Sequence, residues 1–478
     1  MRQLSEHDAS FLYADTVHAN ANVTFVQIYD QSTVPGGTLR FKSILAHIQG
    51  RLHRSPIFRS KLLRVPLELD EPYWVEDEFF DLEYHVRHIA LPKPGDWRQF
   101  CIQASRIHAR ALDLNRPLWE IYVIEGLDSI TDLPPGSFAL LTKVHHAAID
   151  VESRNEFIEV LHDTTRRPPR PEPSEPWFPE RAPGPVSLLC RAGVHLAFAP
   201  KRLARPLRRA APAAMAFARD VLRPDHHPMA TRFNAVVSPH RVYDTRRFQR
   251  EEFERIRGLV AGATVNDAVL AVCAGGVRHY LDSHAELPKA DLTAIVPLCI
   301  ADDSAQTAAA RRISFGTHLA DPVERLAWIH AQTSATQPPP AEEPDAPLPC
   351  CTITHVPGPG APVYLHGARM TFFSAILPIA DGMGLVFAVT GYDGRIVVSP
   401  TSCRELMPDP QRFTQCLRDS FQEYLALAGA APRDRLRSAG VRVSVAGRPG
   451  PSARSARSVA SRPRAAPGGR RRSTTPSD

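Results

Sequence analysis

Two adjacent histidines, His145 and His146, stand in the stretch Thr142-Lys143-Val144-His145-His146-Ala147-Ala148-Ile149-Asp150. An imidazole has the unperturbed side-chain pKa nearest neutrality, so it can take a proton from a hydroxyl and return it to a leaving group. A carboxylate four residues after the second ring, Asp150, can hold an imidazole or the loop that carries it. Neighbours in extended backbone alternate faces, so only one of the two rings can serve a given pocket as base. The other must pack or hydrogen-bond. The same residues also suit a plainer reading: two hydrogen-bonded core histidines followed by a helix cap.

The flanking residues say what must position these groups. Ser137-Phe138-Ala139-Leu140-Leu141 is mostly apolar and follows the turn signal Pro134-Pro135-Gly136, which predicts a buried strand. Val151, Phe157, Ile158 and Leu161 recur at helical spacing. The histidines therefore lie where a strand gives way to a loop and then a helix that Asp150 can cap. Upstream, Leu118–Glu125 reads as a strand that pairs with Phe138–Val144. Further strands are predicted at Val23–Tyr29, Tyr73–Val75 and Asp81–Val86. Helices are predicted across Leu39–Leu52, with Pro56 as the stop, and from Trp97 to Ala111.

In the second half, strands are predicted at Arg241–Tyr243, Leu292–Leu298, Met370–Phe373, Gly384–Val389 and Arg395–Val398. Helices are predicted at Phe248–Val260, at Val265–Leu281 with Thr264 as cap, and at Phe413–Leu427. Asn266 and Asp267 fall in the first turn of the Val265 helix. Asn266 suits a pocket, whereas Asp267 equally suits the helix dipole. Mixed strands and helices of this kind predict an α/β layered fold.

The pattern His-His-x-x-x-Asp resembles the active-site motif of CoA-dependent acyltransferases with a chloramphenicol acetyltransferase-like fold. Arg116-Pro117-Leu118-Trp119-Glu120 precedes it, and Val265-Asn266-Asp267-Ala268 follows. Val356-Pro357-Gly358-Pro359 and Gly391-Tyr392-Asp393-Gly394 come later, and the chain opens with Leu4-Ser5 and Asp8-Ala9-Ser10-Phe11-Leu12. In this order the set resembles the bacterial wax ester synthase/diacylglycerol acyltransferases, especially the mycobacterial type, over residues 1–430.

The resemblance implies two such domains with mixed sheets and flanking helices, and an active-site tunnel between them. It implies His146 as general base, His145 beside it and Asp150 in a structural role, with Asn266 and Asp267 close to the active centre. The implied substrates are acyl-CoA and diacylglycerol or a long-chain alcohol, with no metal and no bound cofactor. Gly-x-Ser-x-Gly is absent, which excludes the usual lipase signature. The sequence departs from the family in three places. Val151 stands where glycine normally follows the motif, Thr354-His355 replaces Ser-Asn, and the stretches 312–321 and 332–349 look trimmed. A carrier-protein-dependent acyltransferase and a non-catalytic lipid- or partner-binding relative are the competing expectations.

The 478 residues are enough for two cores, here expected at 1–165 and 226–430. Net charge is +6, but residues 431–478 carry 12 arginines against two aspartates. Residues 166–224 carry 12 basic and four acidic side chains, leaving −12 for the remainder. Positive charge thus belongs to a Pro/Arg-rich crossover, 166–225, and to a tail, 431–478, whose composition predicts disorder. Clusters such as Lys201–Arg209 suit anionic lipid headgroups, at a membrane face or on a lipid inclusion. The tail has no lysine or aromatic residue, which argues against nucleic acid. No Cys-x-x-Cys pair occurs among eight cysteines, no apolar run reaches membrane-spanning length, and no leader pattern opens the chain. The expectation is a cytoplasmic protein with reduced thiols.

Overall fold

The computed structural model describes residues 1–149, 156–167, 177–198, 231–297, 310–335 and 348–430. Asp150, Val151, most of the crossover and the tail lie outside the described residues.

In the first half the elements are β1 (Arg2–Gln3), α1 (Glu6–Ala14), β2 (Asn22–Asp30), α2 (Phe41–Gln49), β3 (Ser60–Leu63), β4 (Tyr73–Glu76), α3 (Leu82–His85), β5 (Val86–Ala90), α4 (Trp97–Ala109), β6 (Trp119–Glu125), β7 (Phe138–His145), α5 (Glu156–Leu161) and α6 (Pro185–Phe198). The second half adds β8 (Arg241–Tyr243), β9 (Arg246–Gln249), α7 (Arg250–Arg257), α8 (Val265–Ser283), β10 (Thr293–Pro297), β11 (Ala310–Ser314), α9 (Pro322–Thr333), β12 (Cys351–Pro357), β13 (Tyr364–Leu365), β14 (Ala368–Ile376), β15 (Val386–Tyr392), β16 (Arg395–Cys403) and α10 (Pro410–Ala430).

Two mixed sheets organise these elements. One runs β13-β14-β2-β7-β6-β5, antiparallel except for the β5–β6 pair. The other runs β11-β10-β12-β15-β16-β8, with β9 also on β16, and is parallel at β10–β12 and β12–β15. The β13–β14 pair comes from the second half of the chain yet completes the first sheet. A small third sheet, β1-β4-β3, stands apart.

The β7 strand shows why the motif sits where it does. All eight of its residues are buried, as expected for a central strand covered on both faces. On one face Ala139 and Leu141 join Phe100, Ala104 and Ile107 of α4, which begins with a capping box between Asp96 and Gln99. On the other face Leu140 and Val144 join the larger core that reaches into the second sheet and α8.

Three expectations need correction. Asp81–Val86 is not a strand: Asp81 accepts from the Glu83 N–H and starts the short helix α3, and the strand follows at Val86. Residues 246–249 are strand, and the helix after them ends at Arg257 rather than Val260. The α2 helix stops at Gln49, well before Pro56. Between the two stretches read as short runs a twelve-residue helix, α9, capped by Asp321, and β11 overlaps the start of the first of them. Among the described residues seven cysteines are free. The Sγ atoms of Cys350 and Cys351 lie 3.7 Å apart, too far for a bond. No described helix is long and apolar enough to cross a membrane.

Candidate active site

The end of β7 is held from both sides. The His145 N–H donates to the carbonyl of Leu118 at 3.0 Å, and the His146 N–H donates to that of Ala21 at 2.8 Å. A single tight turn, His146–Ala148, then leaves the sheet. The Pro117-Leu118-Trp119 motif thus has a local physical task, because Leu118 supplies a backbone acceptor to the first histidine. Trp119 is fully buried, donates from its indole N–H to the carbonyl of Phe58 at 3.0 Å, and stacks on His85. This fixes the start of β6, and so the register that β6 imposes on β7.

His145 has both ring nitrogens engaged. Its Nδ1 accepts the Ala147 N–H at 3.1 Å, so the ring proton resides on Nε2, which donates to Asp15 Oδ2 at 3.0 Å. Oδ1 of Asp15 accepts the Ala21 N–H at 2.7 Å. One carboxylate therefore ties the turn to the entrance of β2. With 1% exposure and both nitrogens engaged, His145 has no free site for a substrate proton.

His146 differs at each of these points. Its ring stacks on Phe11 of α1, with centroids 3.8 Å apart and 23° between planes. Nδ1 is buried and has no hydrogen-bond partner among the described residues. Burial, with smaller contributions from His145 and His7, holds its pKa below the ordinary histidine value. The ring is thus neutral at physiological pH and able to accept a proton.

The downstream anchor is equally defined. Phe157, Ile158 and Leu161 of α5 are buried. His162 bridges the Tyr29 hydroxyl and the Ile158 carbonyl, each at 2.5 Å. Arg51 pairs with Asp163 at 2.6 Å and also donates to the carbonyls of Val160 and His162. Burial lowers the pKa of both His162 and His47 to about 4, as befits neutral core histidines. Asp150 and Val151 span the gap between these anchors, outside the described residues.

Asn266 and Asp267 fall in the first turn of α8. Asp267 closes a capping box with Thr264 at the start of α8 and accepts from His330 at 2.9 Å and Thr333 at 2.6 Å. Burial alone would raise its pKa, but these hydrogen bonds outweigh it and hold the carboxyl below its usual value. Asn266 lines a cavity of about 410 Å³ with His330, His355, Ile313 and Ile353, and neither motif histidine borders it. A different cavity, of about 470 Å³, reaches Ala148, two residues beyond His146.

Val356-Pro357-Gly358-Pro359 leaves the second sheet beside the first. Val356 and Pro357 pair with Thr390 and Gly391 of β15. A Cβ on Gly358 would lie 2.4 Å from the Gly391 carbonyl oxygen and 3.0 Å from Phe373 of β14, so only glycine fits this crossing.

Two residues that complete the arrangement were not singled out from the sequence. Phe11 lies in an opening motif whose residue types gave no hint of a ring stack. Asp15 had no signal at all, since its partner is 130 residues away.

The family model described as the wax ester synthase/diacylglycerol acyltransferase catalytic domain matches residues 4–269, and its C-terminal domain model matches residues 349–424. A putative diacylglycerol O-acyltransferase of Mycobacterium tuberculosis is 30% identical, over 90% of this chain and 92% of its own. An O-acyltransferase of Acinetobacter baylyi is 30% identical over 76% of this chain and 86% of its own. Among solved structures, a wax ester synthase/diacylglycerol acyltransferase from Marinobacter aquaeolei superposes with a TM-score of 0.65 at 24% identity, covering 89% of this chain and 100% of that one. A starter condensation domain of rhizomide synthetase follows at 0.50 and 11%, covering 90% and 95%. These two likenesses show the chloramphenicol acetyltransferase-like fold.

Proposed function

Because the chain belongs to the wax ester synthase/diacylglycerol acyltransferase family and is an acyltransferase, we propose that it moves a long-chain acyl group from acyl-CoA to diacylglycerol, with a long-chain alcohol as second acceptor and His146 as general base. The observation that carries the reading is the contrast between the two rings. His145 spends both nitrogens on Asp15 and Ala147, whereas His146 is neutral with an unpartnered nitrogen.

In this reading the acceptor hydroxyl gives its proton to His146 as its oxygen attacks the thioester carbon. A C–O bond forms, the C–S bond then breaks, and the imidazolium protonates the departing CoA thiolate. The ester and free CoA leave. No acyl-enzyme is required, and acyl-CoA is a substrate rather than a cofactor. The basic crossover and tail suit peripheral attachment to an anionic lipid surface.

Thiol release from palmitoyl-CoA tests the proposal, with diacylglycerol and hexadecanol compared as acceptors. Release should depend on acceptor, match the ester formed one for one, and be faster with diacylglycerol. Consumption of acyl-CoA to free fatty acid alone, or none with either acceptor, contradicts it.

A further inference from the structure

The small sheet β1-β4-β3 carries α6 on one side. Leu188 and Ala192 of α6 are buried against Val65, Tyr73 and Val75. One turn later His195 meets Asp70 at 2.5 Å. These three positions form one stripe of the helix, as an i, i+4, i+7 spacing requires. The other side of α6 is apolar as well. Val186 is 73% exposed and Val194 55%, with Leu189 and Cys190 also in the open.

The neighbouring turns add Leu67 and Phe79, each 81% exposed, and Phe178 is similarly bare. Six of the eleven large apolar side chains exposed among the described residues therefore belong to this one unit. Scattered exposed hydrophobics need no explanation, but a concentration like this marks a surface that something covers.

Charge selects the occupant. Residues 181–219 contain eight basic side chains and no acidic one, and Arg181 and Arg191 are exposed on and beside α6. An apolar helix face that carries Arg191 and no acidic side chain of its own, within a stretch of sequence this basic, suits a bilayer whose headgroups are anionic. At 14 residues α6 is too short to cross the roughly 30 Å hydrocarbon layer, so it must lie in the plane of the headgroups.

The cavity of about 470 Å³ gives this placement a consequence. Its wall includes Arg181, Ala182 and Pro183, which lead directly into α6, and Ala148, which follows His146 in the motif turn. We infer that α6 and its flanking turns dock this protein on an anionic lipid surface, and that the adjoining cavity receives the lipid acceptor from that surface on its way to His146. The route, but not the docking, rests on the acyl-transfer reading.

The test uses full-length protein and the triple variant Val186→Glu/Leu189→Glu/Val194→Glu. Binding is measured by co-sedimentation with phosphatidylcholine vesicles, with and without phosphatidylglycerol. Wild type should prefer the anionic vesicles and lose affinity as salt rises. The variant should bind them about tenfold more weakly or worse, because each change removes apolar contact and adds repulsion. Turnover of vesicle-borne diacylglycerol should fall in parallel. Thiol release with a water-soluble short-chain alcohol should stay at the wild-type rate, which also shows that the variant is folded.

Equal vesicle binding by variant and wild type overturns the docking surface. So does a wild-type dimer in sedimentation velocity that the variant dissociates, since a second copy would then cover the face. Equal loss of turnover with both acceptors overturns the route. If wild type releases no thiol with any acceptor, the acyl-transfer reading and the route fall together, while the vesicle arm still decides the surface.

Discussion

Replacing His146 with alanine lowers acyl-CoA turnover by about 10²–10⁴-fold, the usual weight of a positioned general base, and leaves circular dichroism unchanged. The ring packs on Phe11 at the surface of α1 and makes no described hydrogen bond, so its loss removes little from the fold. His145→Ala behaves in the opposite way. It leaves the Ala147 N–H and a carboxylate oxygen of Asp15 without their partner, which costs about 1–3 kcal/mol. Its melting temperature should fall, while turnover well below the melt is far less reduced than in His146→Ala. A folded His146→Ala protein with most of the wild-type rate contradicts the assignment. So does a His145→Ala protein that is the more damaged in turnover but unchanged in stability.

Gly358→Ala produces a large loss of stability from a single methyl group. The new Cβ meets the Gly391 carbonyl oxygen at 2.4 Å, and that oxygen belongs to the β12–β15 ladder at the Pro357–Gly391 pair. It cannot retreat without opening the ladder, and the Phe373 ring closes the other side. Overpacking of this kind costs about 1–3 kcal/mol or more. Two residues later nothing lies within 4 Å of a Cβ on Gly360, so Gly360→Ala should stay within about 0.5 kcal/mol of wild type. Urea unfolding of the two variants side by side checks the contrast, and equal midpoints contradict it.

Much of this arrangement was legible from residue pattern alone. The strands flanking the motif announce themselves by short apolar runs and a Pro-Pro-Gly turn, and they pair as expected from Trp119–Val144 onward. Thr264 and Asp267 spell out a capping box three residues apart, and the helix starts there. Alternation along extended backbone separated the two histidines into one engaged ring and one available ring. What stayed hidden depends on distant chain. Asp15 reaches His145 across 130 residues, and Arg369 to Ile376 joins the first sheet by pairing with β2. Neither contact leaves a local trace in composition or period. Residues 81–86 misled for a local reason: their alternation is strand-like, but Asp81 offers a side-chain acceptor that nucleates a helical turn first. The α9 helix was obscured by the proline-rich residues that follow it.

The pH dependence of acceptor-dependent transfer tests the central claim most directly. A general base must be unprotonated to act, and burial holds the His146 pKa below the ordinary value near 6.5. With the free pKa lowered, the active form is fully populated at neutrality and is lost only as pH falls through the lowered value. The account predicts a kcat/KM for triacylglycerol formation that is level from about pH 7 upward and has its acid limb below about 6.5, approaching a tenfold fall per pH unit. The residual rate of His146→Ala should lack that limb. An inflection above 6.5, or an acid limb that survives intact in His146→Ala, would place the working base on another residue.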